Sequence, residues 1–338
     1  MKTKLMCIMV LCFIAFSKAY SAQVGFFVGE VNGERKGAPF KISLGLALEA
    51  GDVIRTGSKS TVEIRYKDRT SINVAENTLI TIGNANIPAS SEVTVVSGRA
   101  LAIFSRRAAD INRVYTPTTV AAIRGTEFSI NVNKGNSMII LNKGKLDVNN
   151  PYSQVSLNAG DNVRANVGEE IERSTQRRKQ WNEGMSDLFD NDLDRAIAAY
   201  SKYVNDFDSS AKSQSGNMKG YSNQIKSATS EEELRGTGRS IEALEALMKN
   251  NLFLTQGTDY SLKLILEEMS DKSSKEFDEF SKIKERSNAV VALKARNYAE
   301  IQAIKHQHKE AVERIRSRFE ADRARILEGV QRQRERNQ

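Results

Sequence analysis

Residues 116–132 read TPTTVAAIRGTEFSINV. Pro117 fixes its own φ and pushes Thr116 toward an extended backbone. Gly125 permits a positive φ or a close approach where a strand enters a crowded interior. Beyond it Phe128, Ile130 and Val132 alternate with polar residues, the period of a strand with one buried face. The same alternation recurs outward from this stretch, at Val62, Ile64 and Tyr66 in TVEIRY, at Val93 and Val95 in EVTVV, and from Met138 to Leu141 ahead of the turn Asn142, Lys143, Gly144. Short strands at close spacing favour a sandwich, barrel or β-solenoid over a parallel sheet with crossover helices.

The punctuation residues show where this pattern stops. All four prolines (Pro39, Pro88, Pro117, Pro151) and fourteen of the twenty-one glycines precede residue 173, and no proline follows. Glycine and proline serve turns and interrupt helices. The expected fold class is therefore a mainly β N-terminal domain of short antiparallel or β-solenoid-like strands, followed by an all-α C-terminal region with a long helix or coiled coil. The expected divisions are a signal peptide at 1–22, a β domain at 23–172, a helical region at 173–270 and a long basic helix, a candidate coiled coil, at 271–338.

An internal echo joins the two ends of the β part. Residues 48–56 read LEAGDVIRT and residues 157–165 read LNAGDNVRA. Gly51 and Gly160 suit a turn that other residues resist, and Asp52 and Asp161 can accept hydrogen bonds from nearby backbone amides. The competing reading makes each carboxylate a ligand for a metal or a sugar.

These stretches resemble the FecR domain family. The likeness runs through LEAGDVIRTGSKSTVEIRYKDRTSINV (48–74), VVSGRA (95–100), TPTTVAAIRGTEFSINV (116–132), NKGKLDV (142–148) and the closing LNAGD, and spans roughly residues 25–167. Its most specific part is the core motif Thr116, Pro117, Arg124, Gly125, Thr126 and Phe128; Gly51, Asp52, Thr56 and Gly57 stand in the order the family shows. One departure is KDRT at 67–70, where the family prefers a DGS-like turn. Arg124 has two open readings, a fork for an anionic ligand or a partner for an internal carboxylate. The resemblance implies an extracytoplasmic module, best known in regulators that relay a receptor signal to an anti-sigma segment across the inner membrane. Such regulators place a membrane helix before the module, whereas here it follows a leader directly, so the chain resembles an exported, stand-alone use of the domain.

The leader begins MKTKLMCIMVLCFIAFSKAYSAQ, with Lys2 and Lys4 ahead of an apolar run and small residues near Ala19 to Ala22. That is the layout of a secretory signal peptide, with cleavage expected near residues 20–23. The apolar run is too short to span a bilayer and none comparable recurs, so no transmembrane helix is expected after cleavage. Both cysteines, Cys7 and Cys12, fall within the leader, which excludes disulfide and thiolate chemistry from the mature chain. Met9, Val10 and Leu11 make a poor lipoprotein box before Cys12, so lipid anchoring is not expected. The expected location is periplasmic or otherwise extracytoplasmic.

The net charge of +8 falls to +5 without Lys2, Lys4 and Lys18. From residue 296 onward eleven Lys and Arg face seven Asp and Glu, so the positive excess concentrates on the last helix. Arg314, Arg316, Arg318, Arg323, Arg325, Arg332, Arg334 and Arg336 could meet an anionic surface or form a solvated helix face, and interleaved acids dilute their field. Nucleic acid is not an expected partner.

Within the helical half, Ser230 and Glu233 form a capping box. A break is expected near Gly236 and Gly238, a turn at Gly257, and a flexible linker or mobile helix at 209–224. Val312, Ile315, Phe319, Ile326 and Val330 share one face of the last helix, interrupted by Lys305, His308 and Asp322 where a strict seam wants apolar residues. Trp181 and Phe189 either anchor a helix or stack on sugar.

Catalytic signals are thin. His306 and His308, the only histidines, point to different sides of a helix, and no phosphate-binding glycine loop occurs. No enzyme activity, cofactor or metal is expected. The functional expectation is a non-catalytic cell-envelope protein whose FecR-like domain binds a protein partner and whose helices scaffold or form a homo-oligomer; the alternative is a module that binds peptidoglycan or polysaccharide.

Overall fold

The computed structural model describes residues 22–66, 69–87, 92–104, 113–123, 125–176 and 178–336. The expected leader apart from Ala22, with Cys7 and Cys12, lies outside the described residues, as do Lys67 and Asp68 of the KDRT turn and Arg124 of the core motif. Among the described residues seventeen strands precede four helices, the order that the proline and glycine distribution predicts.

The strands build two layers. One layer runs β4 (Ala47–Leu48), β1 (Ala22–Val28), β6 (Thr61–Tyr66), β7 (Ser71–Val74), β9 (Val93–Ile103), β12 (Glu127–Asn133), β13 (Asn136–Lys143), β16 (Asn162–Ala165) and β17 (Ile171–Arg173), all neighbours antiparallel. The other runs β3 (Ala38–Lys41), β2 (Val31–Arg35), β5 (Val53–Thr56), β8 (Leu79–Ile82), β9 again, β10 (Arg113–Tyr115), β11 (Val120–Ile123), β14 (Lys145–Asn149) and β15 (Gln154–Asn158). Among the described strands only the short contact of β9 with β10 is parallel.

Strand β9 belongs to both layers because it bends at Gly98. Its first half pairs with β8, and its second half pairs with β7 and β12. Gly98 has φ +89°, and a Cβ there would fall 2.6 Å from the Thr78 Cα. No other residue fits such a corner without moving the backbone. Between the layers, Val62, Ile64, Ile72, Val74, Ala102, Phe128, Ile130 and Val132 form one buried core, as their alternation requires.

The helices are α1 (Arg178–Asn191), α2 (Leu193–Ser227), α3 (Glu231–Glu268) and α4 (Lys275–Arg336). The Ser230 hydroxyl accepts from the Glu233 amide while the Glu233 carboxylate accepts from the Thr229 amide, so the predicted box closes one residue early on its return arm. The break near Gly236 and Gly238 and the turn at Gly257 do not occur, and of the two readings of 209–224 the structure shows a helix and not a linker. Helix α3 runs unbroken through Gly236, Gly238 and Gly257, and the polar stretch 209–224 lies inside α2. The cause is tertiary: a Cβ at Gly238 would meet the His308 ring at 2.7 Å, and one at Gly257 would meet the Pro117 Cα at 3.2 Å. These glycines admit neighbours. Ala211, Gln214 and Met218 are buried against the other helices, which holds their polar segment helical.

Helix α4 packs on α2 and α3 through Phe280, Ile283, Val290, Ile301, Ile304, Ala311 and Ile315. The seam carries buried polar residues as well. Asn297 donates to the Ala211 carbonyl at 2.8 Å, but the Lys294 ammonium, 2% exposed, has no hydrogen-bond partner among the described residues and stands 5.2 Å over the Phe207 ring. Burial pushes its pKa down from 10.5 to about 8.

That burial has a measurable cost. Below about pH 8 Lys294 is charged in both folded and unfolded chains and the full penalty applies. Between about 8 and 10.5 the unfolded chain holds more protons, so stability rises with pH across that window. Lys294→Met is expected to stabilise the protein by roughly 3 kcal/mol at pH 7, with the gain shrinking toward zero near pH 10.5. Urea melts of both proteins at pH 7 and pH 10 measure the difference.

Candidate functional site

The Thr116–Pro117 end of the core motif is the turn between β10 and β11. Its geometry is fixed by a cluster of buried hydroxyls. Thr116 Oγ1 accepts from the backbone amides of Thr118 at 3.2 Å and Thr119 at 2.9 Å, and from the Ser137 hydroxyl at 2.7 Å. Thr118 Oγ1 in turn lies 2.6 Å from Ser137 Oγ and 3.2 Å from the Ala165 carbonyl. A polar turn this deep persists only because its groups satisfy one another.

Onto that turn the helices dock. Tyr203 of α2 donates its hydroxyl to the Pro117 carbonyl at 3.1 Å. Thr258 of α3 lies 3.3 Å from the same carbonyl, although its single proton has a nearer acceptor in the Leu254 carbonyl at 2.9 Å. Gly257 lets α3 settle against the Pro117 backbone. Beside the turn, Tyr115 stacks on Phe253 with ring centroids 4.1 Å apart and planes at 8°, and its hydroxyl donates to Asn250 at 3.1 Å. Burial and the nearby Glu92 hold the Tyr115 hydroxyl protonated far above the usual tyrosine range. Glu92 itself is buried and paired with Lys249 of α3.

Further contacts widen the junction. Tyr260 and Leu264 of α3 pack on Val53, Leu79 and Val96. Tyr200 donates to the Lys134 carbonyl at 3.0 Å, Asn84 to Gln256 at 2.6 Å, and Asn131 to Asn182 at 2.7 Å. Tyr152 donates to Asp206 at 2.5 Å while Lys202 lies 4.2 Å over its ring. Tyr152 is thereby kept protonated, first by burial and then by that carboxylate.

The other end of the core motif lies elsewhere. Gly125, φ +63°, precedes β12 and faces the β13–β14 turn, where Gly144 approaches the Gly125 carbonyl. Thr126 is buried, and its carbonyl accepts from the Phe104 amide at 2.8 Å. Phe128 stacks on Phe104 inside the β core. Strand β11 separates the two ends, so the described motif residues do not converge on one cleft.

The two echoed turns share one construction. Gly51 and Gly160 have φ +94° and +95°. Asp52 accepts from the Glu49 amide at 2.8 Å and from Arg35 at 2.7 Å; Asp161 accepts from the Asn158 amide at 2.9 Å and from Arg173 at 2.9 Å. That backbone bond, followed by Arg173, lowers the Asp161 pKa. Each carboxylate closes its own turn and is held by an arginine. The copies sit in different layers, Asp52 before β5 and Asp161 before β16. No cluster of three metal-ligating side chains occurs among the described residues.

Trp181 and Phe189 of α1 are 1% and 5% exposed, packed at the junction with no ring face open for stacking on sugar. His306 and His308 diverge as expected: His306 pairs with Glu310 on the surface, while His308 Nε2 lies 2.8 Å from the Leu234 carbonyl. Sequence reasoning did not find the docking residues Tyr203, Phe253 and Thr258, which carry no motif.

Residues 52–147 match the family described as FecR protein, so the chain carries a FecR domain over less than half of its length. Two crystal structures of a candidate anti-sigma factor from Parabacteroides distasonis ATCC 8503 are similar. One is 15% identical over 39% of this chain and 64% of its own, with a TM-score of 0.31; this chain thus spans under two thirds of it. The second is 14% identical over 45% of this chain and 73% of its own, with a TM-score of 0.32. Likeness at this level decides neither topology nor function. No curated protein matches.

The Pro117 carbonyl can be tested by removing its donors. Tyr203→Phe is expected to cost about 1 kcal/mol, and Thr258→Val less, since Tyr203 remains. With both changed, the buried carbonyl has no donor, and the loss should exceed the sum by about 1 kcal/mol. Chemical denaturation of the four proteins of the cycle gives the coupling energy.

Proposed function

We propose that this is an exported, non-catalytic cell-envelope protein in which the FecR domain engages a protein partner and the helical half scaffolds or oligomerises. The FecR match supports an envelope-related regulatory or signalling role. Export rests on the leader, and cleavage just before Ala22 would leave β1 whole. No described helix is long and apolar enough to cross a membrane.

The observation that carries the reading is the free end of α4. After Ile315 the helix leaves the bundle, and its remaining residues extend about 30 Å with every described side chain exposed. Phe319, Ile326, Leu327 and Val330 are between 44% and 66% exposed on that overhang. Its spacing from the buried Ile315 continues the seam that α4 uses inside the bundle. A helix this long gains little from propensity alone, so an apolar seam outside the body fits a role in holding another chain. On the β module, Phe26 and Val28 of β1 and the nearby Leu44 are also exposed and offer a second contact face.

Site-specific photocrosslinking tests the partner. With a crosslinking residue in place of Phe26 or Phe319 in growing cells, the expected result is a discrete protein adduct at one or both positions. Uncrosslinked chain alone at both would contradict the reading. For the helices, Phe319→Glu with Ile326→Glu is expected to reduce the sedimentation coefficient of the purified protein at micromolar concentration while its thermal midpoint stays unchanged.

A further inference from the structure

The overhang of α4 carries its charges in rows. Buried Ile315 and exposed Phe319 and Ile326 set a heptad phase that prolongs the bundle seam, with Asp322 in the same row. In that phase Arg316 and Arg323 take one flanking position, and Arg318, Arg325 and Arg332 take the other. Members of a row are seven residues apart, roughly 10 Å along the axis, and all five are exposed. The acids lie elsewhere. At about 100° per residue, Glu320, Glu328 and Glu335 stand between about 100° and 180° away from Phe319, off the seam.

Three of these arginines are partly neutralised within the chain. Arg316 reaches back to Glu231 of α3 at 3.1 Å, Arg325 approaches Asp322 at 3.9 Å, and Arg332 pairs with Glu328 at 2.9 Å. Arg318 and Arg323, one on each flank, have no carboxylate within ion-pair distance among the described residues. Two copies meeting along the seam set these rows against each other. A parallel pair faces one flanking row with the other, and an antiparallel pair faces each row with itself. Either direction brings arginine to arginine on both edges, a like-charge contact that opposes the attraction of the apolar row.

We propose that pairing of the overhang with the overhang of a second copy is coupled to a linear phosphate polymer lying along the arginine rows of both chains. This rests on the oligomerisation proposed above and adds the condition that governs it. A guanidinium takes two phosphate oxygens at once, and one polymer spans several arginines, so it neutralises both edges at concentrations where a free phosphate ion does not stay bound. Screening by ordinary salt gives part of the same relief, so the purified protein associates more weakly without the polymer.

Sedimentation of the full-length mature protein in about 20 mM and about 150 mM NaCl, with and without inorganic polyphosphate, reads the coupling. The expected result at the lower salt is about tenfold or more tighter self-association with polyphosphate, and no such gain with orthophosphate at equal phosphate concentration. Arg318→Gln with Arg323→Gln should associate at low salt without the polymer and lose the response to it, at an unchanged thermal midpoint; a merely structural role predicts no such gain. Phe319→Glu with Ile326→Glu should abolish the polymer-induced assembly. Persistence of that assembly in the Phe319 and Ile326 variant overturns the proposal, because the polymer is then stringing chains together without the seam. Equal association of the unaltered protein with and without polyphosphate overturns it too, while leaving oligomerisation intact. If neither the unaltered protein nor the arginine variant associates under any of these conditions, the inference and the oligomeric reading fall together.

Discussion

The helical half closes on the β module around one acceptor, the buried carbonyl of Pro117. A β turn that presents an apolar ring, a proline and an inward carbonyl offers nothing to water, and α2 and α3 cover it from two sides with Tyr203, Gly257 and Thr258. The hydroxyls of Thr116, Thr118 and Ser137 hold that turn rigid from behind. The turn at Thr116 and Pro117 is thus also a place where this chain attaches its helices. Tyr115 and Phe253 stack across the same boundary.

Much of the architecture was legible because it rests on local periodicity. Val62, Ile64 and Tyr66, and Phe128, Ile130 and Val132, alternate with polar neighbours, and the structure buries them as that pattern demands. The change from strands to helices followed the prolines for the same reason. What failed was the reading of glycines in the helical half as breaks and of the polar stretch 209–224 as a linker. Gly238 and Gly257 are sites where another element comes close, and the polar stretch 209–224 stays helical because Ala211 and Met218 are packed. Both facts depend on residues far away in sequence.

The candidate sites were less legible. The echoed turns at Asp52 and Asp161 could be read from a short window, since their amide bonds span three residues. The role of Pro117 could not, because its donor Tyr203 and its neighbour Thr258 are 86 and 141 residues distant. The core motif looked like one unit in sequence, yet β11 carries its two ends to different surroundings. In the helical half two of the seam's interruptions, Lys305 and His308, lie in the packed part of α4 and meet Glu245 and the Leu234 carbonyl, while Asp322 lies on the exposed end. Lys294 shows that the packed part is not optimised for stability alone, since a buried ammonium with no hydrogen-bond partner among the described residues costs folding energy.

Joined at the β10–β11 turn, strands and helices should unfold as one cooperative body. Native-state hydrogen exchange under increasing denaturant tests it most directly. If the claim holds, the amides of α2 around Tyr203 and of α3 around Phe253 will merge with those of β12 into a single unfolding isotherm. Separate isotherms, with the helices opening well before the strands, would show that the Pro117 contact does not join the two halves.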